Sequence, residues 1–285
     1  MKHTIVILFV SLMMTLQAGA QNGYESFTHG WADDPIWFDG KAEYVTYEAT
    51  RPIYGKLRQY QALIITNKEH FSTKTFTKDA TRNGMPVFKH HILEDIAVKN
   101  YVYHYSMMSY IGTKDFKSYK LDHASIEDCG STYKRFVNWD GKVSWEQDSY
   151  FPNEGSRNDR YNTPKDFGFF DAMTLVLRGY PFDAPADIMM NLVPDQSTTK
   201  WSPYAPQQWV VEYVGKEKLI LPIGEVEAYH VRMRFAGPTK QFIPPVDFWF
   251  EASTDRQHVL VQYTGPHGVN YKIKSYKRFA YWEGN

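Results

Sequence analysis

The densest group of chemistry-bearing side chains is His90-His91 followed by Glu94-Asp95. Imidazoles and carboxylates are zinc-type ligands, but such sites need three or four of them converging. On a strand, His90 and His91 point to opposite faces. One ion could then take only His90, with Glu94 on the same face and His104 from a neighbouring strand. Core or surface histidines account for this pattern more simply, so no metal site is assigned. Paired carboxylates of the type a glycosidase uses occur at Glu127-Asp128 and at Glu225 with Glu227. The second pair would share one strand face, where solvation explains it more simply. The one cysteine, Cys129, lacks a cysteine-hydrolase signature and reads as a buried, inert thiol. There is no Gly-x-Ser-x-Gly elbow, no Gly-rich phosphate loop and no His-Glu-x-x-His. No catalytic residue and no cofactor follow from these motifs, and a non-enzyme is favoured over an enzyme.

Binding residues are better represented. Aromatic residues make up 16% of the chain, with 21 Tyr, 18 Phe and 8 Trp. Such a load serves either cross-strand pairs in a β core or an aromatic-lined pocket. The candidate ligand-binding residues are Tyr101, Tyr103 and Tyr105, which share one face of a strand, together with Trp209, Trp249 and Arg178. Arg178 stands at the end of an apolar segment, where it could hold an acidic headgroup at a pocket mouth. Its plainer role is to pair with helix carbonyls or with an internal carboxylate.

The elements that would carry these residues are mostly strands. Alternation over Lys41–Thr50 puts Val45, Tyr47 and Ala49 on one face and Tyr44, Thr46 and Glu48 on the other. Strand signals follow at 57–67, 87–98, 101–110, 119–127 and 133–139. Turn signals stand at Tyr54-Gly55 and Asp140-Gly141, the second opening a return strand at Val143. Residues 152–166 form a polar stretch read as a connector or lid. Phe169 to Arg178 is the clearest helix: Phe169, Met173, Val176 and Leu177 share a face, and Phe170 and Leu175 make it apolar nearly all round. It should be buried, and Gly179 and Pro181 end it. A second short helix is expected over Ala186–Val193. Strands resume at 209–214, 218–221, 226–235, 246–252, 258–263 and 270–276.

The N-terminus is a targeting signal by its pattern. Met1-Lys2-His3 precedes an apolar run of about 12 residues, and Ala18-Gly19-Ala20 makes a small-x-small cleavage site before Gln21. The run is short for a membrane span. No Cys follows the cleavage site, so no lipid anchor is expected. The expectation is an exported chain, periplasmic or secreted, soluble, with one mature β-rich domain at 21–285. The 32 basic and 32 acidic residues balance, which argues against nucleic acid or an acidic membrane surface as partner.

Three stretches of the second half resemble a bacterial exported family known as domain of unknown function number 3108. They are Asp171–Arg178, then Tyr213–Val231 with its Gly-x-Glu and Pro-x-Gly elements, then Asp247-Phe248-Trp249-Phe250 with Val259–Val261 and Gly268–Ile273. Together they span roughly 165–280. The resemblance implies an exported β protein, a curved sheet around a helix as in lipoprotein carriers, and no catalytic residues.

The expected fold is mainly β: a strongly curved antiparallel sheet or open barrel with one buried central helix. The function expected first is a non-enzymatic extracytoplasmic binder or carrier of an apolar or amphipathic small molecule. The alternatives are an envelope scaffold or assembly factor with a protein partner, and a glycan or lipid hydrolase. A deep apolar cavity supports the first, a filled interior beside an exposed aromatic patch the second, and a cleft of converging ionisable groups the third.

Overall fold

The computed structural model describes residues 21–239 and 242–283; the targeting signal expected at 1–20 lies outside the described residues. The strands are β1 (Gln21–Asn22), β2 (Ala42–Ile53), β3 (Lys56–Ser72), β4 (Thr77–Lys78), β5 (Met85–Ala97), β6 (Val102–Gly112), β7 (Ser118–Glu127), β8 (Gly130–Trp139) and β9 (Lys142–Ser149). They continue as β10 (Arg157–Asn162), β11 (Phe167–Phe169), β12 (Ile188–Val193), β13 (Gln207–Leu221), β14 (Gly224–Phe235), β15 (Val246–Glu251), β16 (Leu260–Thr264) and β17 (Asn270–Phe279).

All belong to one sheet. Two antiparallel meanders, β2 to β10 and β12 to β17, join where β17 pairs with β2. At the far end β11 and β1 lie parallel to β12. The sheet is thus strongly curved and open between β10 and β11, close to the expected architecture. Arg157, Asn158, Asp159 and Arg160 are exposed along β10, and charged residues on an edge strand discourage pairing with another chain.

Alternation fixes which face turns inward. Val45, Tyr47 and Ala49 of β2 are buried, as are Tyr103, Tyr105 and Met107 of β6. The β2–β3 and β8–β9 hairpins close on Tyr54-Gly55 and Asp140-Gly141, with φ near +52° and +69° in each. Both residues of these two-residue loops are left-handed, the geometry that matches strand twist.

The interior is filled by the segment between β11 and β12. A four-residue α-helix, α1 (Met173–Val176), is flanked by 3-10 turns at Phe170–Ala172 and Leu177–Gly179. Every residue from Phe170 to Tyr180 is buried. Met173, Leu175, Val176 and Leu177 are fully enclosed, each contributing roughly 2 kcal/mol by burial. Gly179 ends the helix under close contact: a Cβ there would lie 2.7 Å from the Thr28 carbonyl oxygen and 2.8 Å from the Phe116 ring.

Two expectations are corrected. Ala186–Val193 forms no helix; β12 runs through it, with Ile188, Met190 and Leu192 inward at period two. The stretch 152–166 is no lid along its length, because β10 pairs residue for residue with β9.

Candidate functional site

A small cavity of about 40 Å³ lies at the start of the helical plug, its lining mostly apolar but carrying several ionisable groups. Phe170, Asp171 and Thr174 form one wall. Glu94 of β5, Tyr105 of β6, His123 of β7 and Tyr271 of β17 form the other, and Asp195 and Ser197 close it. Period-two alternation brings the strand residues inward. The plug brings Asp171 because it crosses the interior rather than the surface.

The closing segment, residues 194–204, has no regular structure. Its carbonyls are satisfied by side chains reaching from the sheet. Lys134 Nζ donates to the Lys200 carbonyl at 2.8 Å and to that of Gln196 at 3.2 Å. Arg51 Nη2 donates to the Ser197 carbonyl at 2.7 Å, and Thr132 Oγ1 to that of Thr199 at 2.9 Å. Burial lowers the Lys134 pKa to about 8, against the pull of Asp195 and Asp171.

The ionisable groups around the cavity are matched to each other. Glu94 accepts from Arg51 Nη1 at 3.1 Å, from the Tyr271 hydroxyl at 2.7 Å and from the Tyr60 hydroxyl. The Arg51 guanidinium also lies 4.9 Å from the centre of the Tyr105 ring. Asp171 and Asp195 form a coupled buried pair. Burial, then the charge of Asp195, holds the Asp171 carboxyl well above the usual carboxylate range. Burial would raise Asp195 too, but His267 at 3.1 Å, the hydrogen bond with Asp171 and the Ser197 hydroxyl at 2.7 Å hold it below that range. The two titrate as a pair, Asp171 favouring its neutral form and Asp195 its charged one. His123 is pushed down to about 3, first by burial and then by Lys134, while a backbone contact at Thr198 pulls the other way.

The sequence-derived residues do not converge on this cavity. Tyr105 lines it. Tyr103 stacks on Tyr105 at 5.9 Å, one ring further out, and Tyr101 lies beyond at 5.4 Å from Tyr103. Trp209 packs on Phe170 at 5.4 Å, behind the cavity wall. Trp249 lies elsewhere, stacked on His230 at 4.3 Å with its indole N–H donating to Glu217 at 2.5 Å. Arg178 stands at the opposite end of the plug. It is 1% exposed and makes a two-pronged ion pair with Glu43, at 2.6 and 3.0 Å. The internal-carboxylate role is the one its geometry fits.

Several other motifs settle as framework. His90 faces inward between Thr66 and Thr174, at 2.9 Å from each hydroxyl, while His91 meets Ser106 on the other face. Glu225 and Glu227 pair on the outer surface with Lys218 and Lys216. Cys129 is exposed, not buried, because it sits at the tip of the β7–β8 turn. Among the described residues no group of three or more His, Cys, Asp and Glu is placed to hold a metal. Nor is any helix long and apolar enough to cross a membrane. Sequence reading missed Asp195 and Lys134. Their signal was weak: a polar run, Asp195–Lys200, between two apolar strands, and one lysine at an inward-facing position.

The fold is that of a β-barrel-like protein with a filled centre. It is similar to the crystal structure of a β-barrel-like protein of domain of unknown function DUF1849 from Brucella abortus, at a TM-score of 0.50 and 8% sequence identity. The match covers 84% of this chain and 98% of that one, and at such identity it speaks for the fold alone. No family model matches the chain, so the resemblance to family 3108 is not supported, and no curated protein matches it.

Proposed function

We propose that this chain is an exported, non-enzymatic scaffold of the cell envelope that acts through its outer surface and carries nothing in its interior. The observation that carries the reading is the plug: an uninterrupted run of buried residues from Phe170 to Tyr180 occupies the place where a carrier would hold its ligand. The space left beside it, about 40 Å³, suits two or three water molecules. Pockets for drug-sized ligands run to several hundred Å³. The same small volume counts against a sugar ring or an acyl chain reaching the Asp171–Asp195 pair. The signal-like start at Met1–Ala20 supports export.

An aromatic surface supports contact with a macromolecule. Phe38 is 68% and Trp282 51% exposed, and both border one open cleft of about 600 Å³ with Lys41, Lys68 and Lys78. Tyr281 packs on Trp282 at 5.0 Å and on Phe279 at 6.4 Å, and Tyr44 extends the group at 5.2 Å from Phe279. Clustered exposed aromatic rings are the kind of surface that marks interaction sites. The test is complementation of a deletion strain with Phe38→Ser/Trp282→Ser. Both sites are exposed, so the melting temperature should stay within a few degrees of the parent. The envelope defect should persist. Full complementation by this variant would contradict the reading.

A further inference from the structure

Three phenol oxygens meet at the end of the barrel beside the β2–β3 hairpin. The Tyr54 hydroxyl lies 3.0 Å from that of Tyr101 and 2.6 Å from that of Tyr103, and Tyr101 and Tyr103 are 3.3 Å apart. The three hydroxyls are within hydrogen-bond distance of one another and form a triangle with sides from 2.6 to 3.3 Å. In an octahedral shell with metal–oxygen bonds of about 2.0 Å, adjacent donors lie ~2.8 Å apart. The sides of the triangle bracket the edge of one face of such a shell.

We propose that Tyr54, Tyr101 and Tyr103 form a binding site for a hard trivalent cation, ferric iron in the first place. Phenolate is a hard anionic oxygen donor that iron accepts as a ligand, and hard ions select oxygen donors. Three phenolates balance a 3+ charge. The Glu127 carboxylate lies beside Tyr103, near enough to interact with its hydroxyl, and offers a fourth oxygen.

The site is reachable and held in shape. Tyr54 is 72% exposed and Tyr101 half-buried, so an ion meets the oxygens from solvent. Tyr103 is buried and braced by the parallel Tyr105 ring. Tyr54 occupies a left-handed turn position at φ 52°, where Asn or Gly is the ordinary choice. That position carries its ring back over β6. Tyr101 and Tyr103 are neighbours on one strand face, as period two requires.

Binding involves no change of oxidation state. Three O–H bonds break and three oxygen–iron bonds form. Three protons pass to the buffer, and three weaker ligands (water or a small chelator) leave the ion. Affinity must then rise with pH, because the ligands bind deprotonated.

The experiment titrates the full mature chain with ferric nitrilotriacetate, reading the visible phenolate-to-iron charge-transfer band and the iron retained after desalting. The proposal expects one iron per chain and a band that strengthens as pH rises. Tyr54→Phe and Tyr101→Phe should each weaken binding roughly tenfold or more, since even indirect partners of a metal ligand are worth that much. Tyr229→Phe, half-buried on β14 in the other meander, should bind as the parent does. Both triad variants alter exposed or half-buried residues, and a thermal melt checks that they fold. Absence of the band and of retained iron in the parent would overturn the proposal. So would an undiminished band in Tyr54→Phe and Tyr101→Phe, which would mean adventitious iron elsewhere.

Discussion

Arg178 and Glu43 show what a buried charge costs once it loses its partner. The pair is almost wholly enclosed. Arg178→Met or Glu43→Gln alone leaves the other group without compensation, and each should lower unfolding free energy by about 3–5 kcal/mol in urea titrations. Glu43→Leu/Arg178→Met should recover much of that loss, because two apolar side chains need no partner. Asp171 behaves differently. Burial holds its carboxyl well above the usual carboxylate range, so the fold favours its neutral form, and Asp171→Asn, neutral at every pH, should not destabilise the protein at pH 7. A carboxyl whose folded pKa is raised contributes stability below its unfolded pKa and loses it as pH rises through the folded value. Stability contributed by this group should therefore fall as pH rises from the ordinary carboxylate range towards the raised folded value, and Asp171→Asn should flatten that limb. Asp195 is held low, so its contribution is present above its unfolded pKa and lost in acid. Asp195→Asn should cost stability at pH 7, where Asp171→Asn does not.

Among the elements, the closing segment at 194–204 depends on side chains rather than on strand ladders. Lys134→Met removes the donor to two of its carbonyls and should cost roughly 2–3 kcal/mol. Amide exchange should rise over residues 195–201 first, and unchanged protection there would contradict the account. Gly179→Ala should cost about 1–3 kcal/mol through overpacking against Thr28 and Phe116. The strands were legible because alternation is a local signal: Val45, Tyr47 and Ala49 declare a buried face without reference to partners. The plug was legible too, since a segment apolar on all sides must be enclosed. Ala186–Val193 was not, because Met189, Met190 and Leu192 suit a helix as well as a strand, and pairing with β13 decides. The cavity with its ionisable groups was illegible for a further reason. Asp171, Asp195, Glu94 and His123 are far apart in sequence, and only closure of the sheet brings them together. Of the candidate ligand residues, Tyr105 alone reaches that cavity; Arg178 meets Glu43 through a pairing of strand and plug that no spacing announces.

For the molecule as a whole, acid is the weak side. Burial pushes His90 and His123 down to about 3 and His91 to about 4. All three are neutral in the fold, while their unfolded counterparts take up protons near pH 6.5. The unfolded state then binds more protons, so stability falls as pH drops from about 6.5 towards 4. Each histidine steepens the loss by up to ~1.4 kcal/mol per pH unit. Denaturant midpoints measured across that range should fall with a slope of more than one proton. A flat profile would mean that the histidines are not held neutral.

The filled interior separates the scaffold reading from a carrier. The most direct measurement is native mass spectrometry of the chain, purified gently from its native cells, with lipid extraction of the same sample. The account predicts the mass of the bare polypeptide, apart from any metal ion at the tyrosine triad, and an extract free of stoichiometric lipid. A bound organic mass that leaves in solvent would contradict it and return the chain to the carriers.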